Sequence, residues 1–204
     1  MPYLLGLTHM DQLMEKDVET YEHSMRVASL AKAMAVGMGL DKKRKHQLVT
    51  GCFLHDIGKL RIPIEVLNKT TSLLPHEWDL MRLHPSIGAH ILREYANLDM
   101  EIINIVEFHH ERWNGQGYPN GLSGHAIPEF ARICAVLDAY DCMISDRPYR
   151  SKLTVAEAIT QLLLHAGEQF DEKYVHILIQ LLKGNITEKC LAKMNPEKIV
   201  GGNR

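Results

Sequence analysis

Twelve histidines stand in this chain of 204 residues, against 7 Tyr, 4 Phe and 2 Trp. Five of them fall where an imidazole can ligate a metal or move a proton. Glu19 and His23 are four residues apart and share one helical face with Val27, Leu30, Ala31, Met34 and Met38. His55 and Asp56 follow the apolar run Val49 to Leu54, and Gly58 comes just after them. His84 precedes Pro85, which biases its backbone towards extended conformations. His109 and His110 close a helical stretch ahead of Glu111. Asp138 lies on an apolar stripe with Phe130, Cys134 and Leu137, where an unpaired carboxylate would be costly.

Each feature alone has an ordinary reading. Glu19 and His23 make a helix-end pair, and His55 suits a helix C-terminus as a cation near the dipole. Asp138 could pair with a buried Arg. Together they give five histidines, two aspartates and one glutamate on the inner faces or ends of different helices. Mixed imidazole and carboxylate ligands suit Fe, Mn or Zn better than Mg or Ca. Eight ligands exceed the needs of one ion and point to two or three ions bridged by carboxylates, a chemistry suited to phosphoryl groups.

Helices must position these residues. Periodicity predicts helices over 18–38, 42–54, 86–96, 99–110, 128–144, 154–165 and 172–183, and a short one from Pro75. Gly39 stops the first, Asp41 caps the second, and Thr154 with Glu157 forms a capping box. No alternating strand pattern is convincing, so the fold class is all-α. Residues 111–126 read as loop, dense in Asn, Gly and Pro. Residues 145–153 are a second loop, and the tail from Lys193 is expected to fray.

Composition narrows the class further. The hydrophobic share is 46% and the charged share 24%, ordinary for a globular domain. A net charge of −2 argues against a binder of polymeric nucleic acid. No apolar run is long enough to span a membrane. The N-terminus makes a poor signal peptide. Cys52, Cys134, Cys142 and Cys190 form no C-x-x-C pair and read as reduced, which suggests the cytoplasm. Gly51 with Gly58–Lys59 is spaced wrongly for a P-loop, and Gly115, Gly117 and Gly121 miss the dinucleotide fingerprint.

Five blocks occur in order: H-D-I-G-K at 55–59, H-P-S-I-G at 84–88, H-H-E-R-W-N-G-Q-G-Y-P at 109–119, V-L-D-A-Y-D at 136–141 and D-R-P-Y-R at 146–150. With them the chain resembles the HD-GYP branch of the HD superfamily of metal-dependent phosphohydrolases. The resemblance covers residues 15–185, leaving 1–14 as an N-terminal extension and 186–204 as a C-terminal tail. It implies a single-domain HD-type helical bundle with a GYP loop. It also implies hydrolysis of cyclic di-GMP to pGpG or GMP by a hydroxide shared between metals.

By the same resemblance the metal ligands are Glu19, His23, His55, Asp56, His84, His109, His110 and Asp138. Asp56 and Lys59 carry catalysis, and Lys59, Tyr118, Arg147 and Arg150 bind substrate. Glu19 favours three divalent metal ions over two. The ions are expected to be Fe or Mn, with Zn, Ni or Co as substitutes. A homodimer or a GGDEF-type protein partner is expected to meet the GYP loop. Asn114 departs from the usual aspartate there, keeping an acceptor oxygen but losing the charge.

Three other readings stay open. One is a phosphodiesterase for 3′,3′-cyclic GMP-AMP. Another is a different HD-superfamily reaction, such as nucleotide monophosphate hydrolysis or di-iron oxygenation. The third is a non-catalytic sensor or interaction module. His9, His46, His76, His90, His125, His165 and His176 lie outside the blocks and are expected at the surface or locally hydrogen-bonded.

Overall fold

A computed structural model describes residues 2–95, 98–146 and 151–184, without the side chains of 2–7. Ten α-helices occur among them: α1 (Pro2–Lys16), α2 (Val18–Gly37), α3 (Lys42–Leu54), α4 (Ile64–Leu67), α5 (Pro75–Met81), α6 (His84–Arg93), α7 (Met100–Phe108), α8 (Glu129–Ile144), α9 (Val155–Leu164) and α10 (Glu172–Lys183). Among the described residues there is no strand, only two isolated bridges, so the all-α class holds.

Local chemistry explains where the helices start and stop. Asp17 caps α2, accepting from the Glu19 and Thr20 amides at 3.2 and 3.4 Å. Gly39, at φ +65°, ends it, and the Leu40 amide returns to the Ala35 carbonyl. Asp41 caps α3 through the Arg44 amide at 2.8 Å, and Thr154 and Glu157 close the expected capping box.

The helices surround one core. α2 packs on α3 and α8, α3 on α7, and α6 on α7 and on the 3-10 turn Ile57–Arg61. The stripe read from α2 is buried as expected, with Val27, Ala31 and Met34 fully so. Gly51 lets α3 close on α7, because a Cβ there would fall 2.2 Å from Ile105 Cδ1. Periodicity assigned no element to 1–14, yet α1 occupies most of that stretch and buries Met10 and Leu13. At its end Lys16 Nζ donates to the carbonyls of Lys59, Leu60 and Ile62 at 3.2, 2.8 and 2.5 Å, fixing the turn after Asp56.

His84 corrects one expectation. It is not extended but the first residue of α6. Pro85 then falls in the first turn, where its missing N–H costs no intrahelical bond.

Candidate metal centre

The site lies where three helix ends meet the sides of two helices. His55 caps the C-terminus of α3, His84 opens α6, and His109 caps the C-terminus of α7. Each ring uses Nδ1 against the backbone carbonyl three residues earlier. His55 meets Cys52 O at 2.7 Å, His84 meets Met81 O at 2.8 Å, and His109 meets Val106 O at 2.8 Å. A carbonyl only accepts, so each Nδ1 carries a hydrogen and each ring turns its Nε2 inward.

Asp56 sits in the middle. Its Oδ1 is 3.2 Å from His84 Nε2, and its Oδ2 accepts from Lys59 Nζ at 2.7 Å. Burial works against its charge, but Lys59 and His55 hold the carboxyl well below the usual carboxylate range. Gly58 makes this convergence possible. A Cβ on it would lie 1.9 Å from the His84 carbonyl oxygen, so the turn after Asp56 can press against the start of α6 only without a side chain.

The other half of the site comes from helix sides. His23 on α2 meets Asp138 Oδ1 on α8 at 3.0 Å through Nε2, and Asp141 Oδ2 at 2.8 Å through Nδ1. Arg26 Nε donates to Asp141 Oδ1 at 2.9 Å. Burial would lower the His23 pKa, but the hydrogen bonds to Asp138 and Asp141 raise it from 6.5 to about 9. Burial also opposes the Asp138 charge, yet His23 keeps that carboxyl well below its ordinary value.

His110 completes the wall beside a cavity of about 400 Å³ lined also by Arg82, His109, Gln116, Tyr118 and Asp138. Burial and the neighbouring His84 push the His110 pKa down to about 3. Burial and three surrounding imidazoles hold His109 well below its ordinary value. Both rings are therefore neutral and free to ligate near pH 7.

The donor set fits divalent metal. Among the described residues, His55 Nε2 is buried without a hydrogen-bond partner and lies 3.4 Å from Asp56 Oδ2. His84 Nε2 and His109 Nε2 approach to 3.3 Å, close enough for one ion to meet both. Three groups have ligand atoms within 4.8 Å of one another: His84, His109 and His110; His23, His55 and Asp56; and His23, Asp138 and Cys142.

Seven of the eight expected ligands thus meet. Glu19 does not: it is exposed in the first turn of α2 and belongs to none of these groups. Arg147 and Arg150 lie outside the described residues. Tyr118 stacks on His110 with ring centroids 4.9 Å apart, and Arg82 stands 5.8 Å above the Tyr118 ring. Among the seven other histidines, His9, His46 and His165 are half-buried and the rest are exposed.

Sequence reasoning gave Asp141, Glu111, Arg82 and Cys142 no role. Glu111 is buried and accepts from the amides of Asn120 and Leu122 at 2.6 and 3.0 Å, tying down the loop that carries Tyr118. A carboxylate directly after two ligand histidines was the available signal. Asn114 keeps the acceptor role foreseen for it, with Oδ1 taking the Gln116 amide at 3.1 Å.

This geometry can be set beside known proteins. A family profile described as HD domain matches residues 8–174. The chain belongs to the HD-domain family. It is 35% identical over 169 residues to a cyclic di-GMP phosphodiesterase of Thermotoga maritima, covering 82% of this chain and 46% of that one. It is 36% identical over 156 residues to the cyclic di-GMP phosphodiesterase response regulator RpfG of Xanthomonas campestris, covering 76% and 41%. A 3′3′-cGAMP-specific phosphodiesterase of Vibrio cholerae is 34% identical over 163 residues, covering 79% and 31%. The chain therefore spans less than half the length of these curated relatives. Among solved structures, the HDG"Y"P protein Bd1817 of Bdellovibrio bacteriovorus superposes with a TM-score of 0.67 at 28% identity, over 80% of this chain and 52% of that one. The HD-type bundle expected from the sequence is thus the observed fold. Among the described residues no helix is long and apolar enough to cross a membrane.

Proposed function

We propose that this HD domain is a metal-dependent phosphodiesterase that hydrolyses a cyclic dinucleotide, cyclic di-GMP to pGpG and GMP. The observation that carries the reading is the convergence of Nε2 atoms from His55 and His84 on Asp56, with His109 Nε2 3.3 Å from His84 Nε2, beside an open cavity. The names of the curated relatives support the substrate class.

His23, His55, Asp56, His84, His109, His110 and Asp138 would hold two or three divalent ions, Fe or Mn, with Glu19 as the candidate ligand of a third. Bound there, the ions supply Lewis acidity and an activated water for attack at phosphorus. Asp56 contributes a full negative charge from the centre of the cluster. Lys59, anchored on Asp56, presents an ammonium to a non-bridging phosphate oxygen. Burial and the charges of Asp138 and Asp56 push the Tyr118 phenol upwards, so its hydroxyl keeps its proton and donates to substrate at the cavity wall. Arg82, Arg147 and Arg150 offer planar forks for phosphate or a guanine edge.

The outer face of the Tyr118 loop is where a second copy or a GGDEF-type partner would dock. The reduced thiols of Cys52 and Cys134 support a cytoplasmic setting. The 34% identity to a cGAMP-specific enzyme keeps the mixed dinucleotide as a second substrate.

Product analysis on cyclic di-GMP, 3′,3′-cyclic GMP-AMP and pGpG tests the reading, with Mn or Fe supplied anaerobically. Release of pGpG or GMP by wild type but not by His55→Ala is expected. An intact cyclic di-GMP pool with both proteins would overturn the proposal.

A further inference from the structure

Asp138 Oδ1 is a hub for more than its histidine partner. His23 Nε2 lies 3.0 Å from it and His55 Nε2 3.9 Å, and the Cys142 Sγ donates to it at 3.3 Å. Cys142 stands one turn after Asp138 on α8, so the two side chains leave the same face of that helix. The sulfur, an Asp138 oxygen and a His23 nitrogen all fall within 4.8 Å of one another. The buried His55 Nε2, without a hydrogen-bond partner, lies between Asp56 Oδ2 at 3.4 Å and this Asp138 oxygen at 3.9 Å.

Resting on the metal-centre reading above, we infer that Cys142 is a further metal ligand, joining His23 and Asp138 around one ion position and making that position selective for thiophilic ions. The sequence blocks gave Cys142 no such part. A thiolate is a soft donor, so one sulfur among nitrogen and oxygen ligands favours Zn²⁺, Fe²⁺ or Co²⁺ over Mn²⁺. Coordination forms one sulfur–metal bond, sends the S–H proton to solvent and leaves every oxidation state unchanged. The centre then has two unlike positions: one built from His84, His109 and His110 without sulfur, and one containing sulfur beside His23.

Cobalt reports sulfur ligation directly, through a thiolate-to-metal charge-transfer band in the near ultraviolet. The full chain is titrated with Co²⁺ as wild type, Cys142→Ser and Cys190→Ser, with bound metal counted by elemental analysis and folding followed by circular dichroism. The band is expected in wild type and Cys190→Ser and lost in Cys142→Ser. Zinc affinity of Cys142→Ser should fall by at least about tenfold, the loss that even an outer partner of a metal ligand produces. Its Mn²⁺ affinity should stay unchanged. Cobalt bound without the band, or a band that survives Cys142→Ser, overturns the inference while leaving the metal centre standing. A folded wild type that binds no cobalt overturns both.

Discussion

His55, His84 and His109 on one side of the site and His23 on the other solve the same problem by different means. The first three stand at helix ends, and the main chain itself fixes their Nδ1 hydrogens. His23 stands on the side of α2, and a carboxylate fixes it, Asp141, held in turn by Arg26. A ring held by a carbonyl is oriented as soon as its helix forms. A ring held by a carboxylate can keep an extra proton, and His23 does so up to about pH 9. The helix ends thus give fixed Nε2 positions, whereas α2 and α8 give a position whose charge answers to its neighbours.

The largest effects should come from the backbone-held side. His55→Ala removes a proposed ligand outright and should lower the proposed phosphodiesterase turnover by more than about 100-fold, the upper range for merely supporting residues. Gly58→Ala should be nearly as severe, because its Cβ would meet the His84 carbonyl at 1.9 Å. Overpacking of that kind costs roughly 1–3 kcal/mol, so a lower melting temperature should accompany the lost activity.

Asp141→Asn comes next and sharpens the contrast. It keeps the shape around His23 but removes the charge, so metal affinity or activity should fall by about 10- to 100-fold. A titration of the His23 ring by NMR in the chelated protein should show its pKa dropping from about 9 towards 6.5. No comparable substitution exists for the helix-end rings, whose partners are backbone.

The two sides should also separate by pH once metal is chelated. His109 and His110 are held below their ordinary value, so protonation opposes their folded state as pH falls below 6.5. Asp56 and Asp138 are lowered too, and their stabilisation is lost in acid. His23 runs the other way. Its stabilisation is full below 6.5 and fades as pH rises through about 9. Melting temperature against pH should therefore decline at both ends, and Asp141→Asn should flatten the alkaline limb through His23 and, through the loss of its own lowered carboxyl, part of the acid limb. The smallest effect belongs to Glu19→Gln. The residue is exposed, so the melting temperature should not move, while metal content drops by about one ion if Glu19 completes a third position.

Much of this centre could be read before any fold was known. Histidines at helix ends leave a signature, because capping and apolar periodicity mark those ends, and His55, His109 and His110 fall there. Asp138 was visible as a carboxylate on an apolar stripe. Asp141 was not, since its pairing with His23 joins residues 118 positions apart and leaves no local pattern. Cys142 was read only as a reduced thiol, since its nearness to His23 likewise joins distant parts of the chain. His84 was misread because the local bias before proline yields to packing against Gly58 and the start of α6. Lys16, whose ammonium holds the 57–61 turn, sits in a stretch with no recognisable periodicity.

Counting metal on the purified chain tests the central claim most directly. After anaerobic loading with Fe or Mn and removal of free ions, elemental analysis should find about two or more ions per wild-type chain, as a two-metal clamp requires, and fewer in His55→Ala. A wild type holding less than one ion, or a count that His55→Ala leaves unchanged, would contradict it.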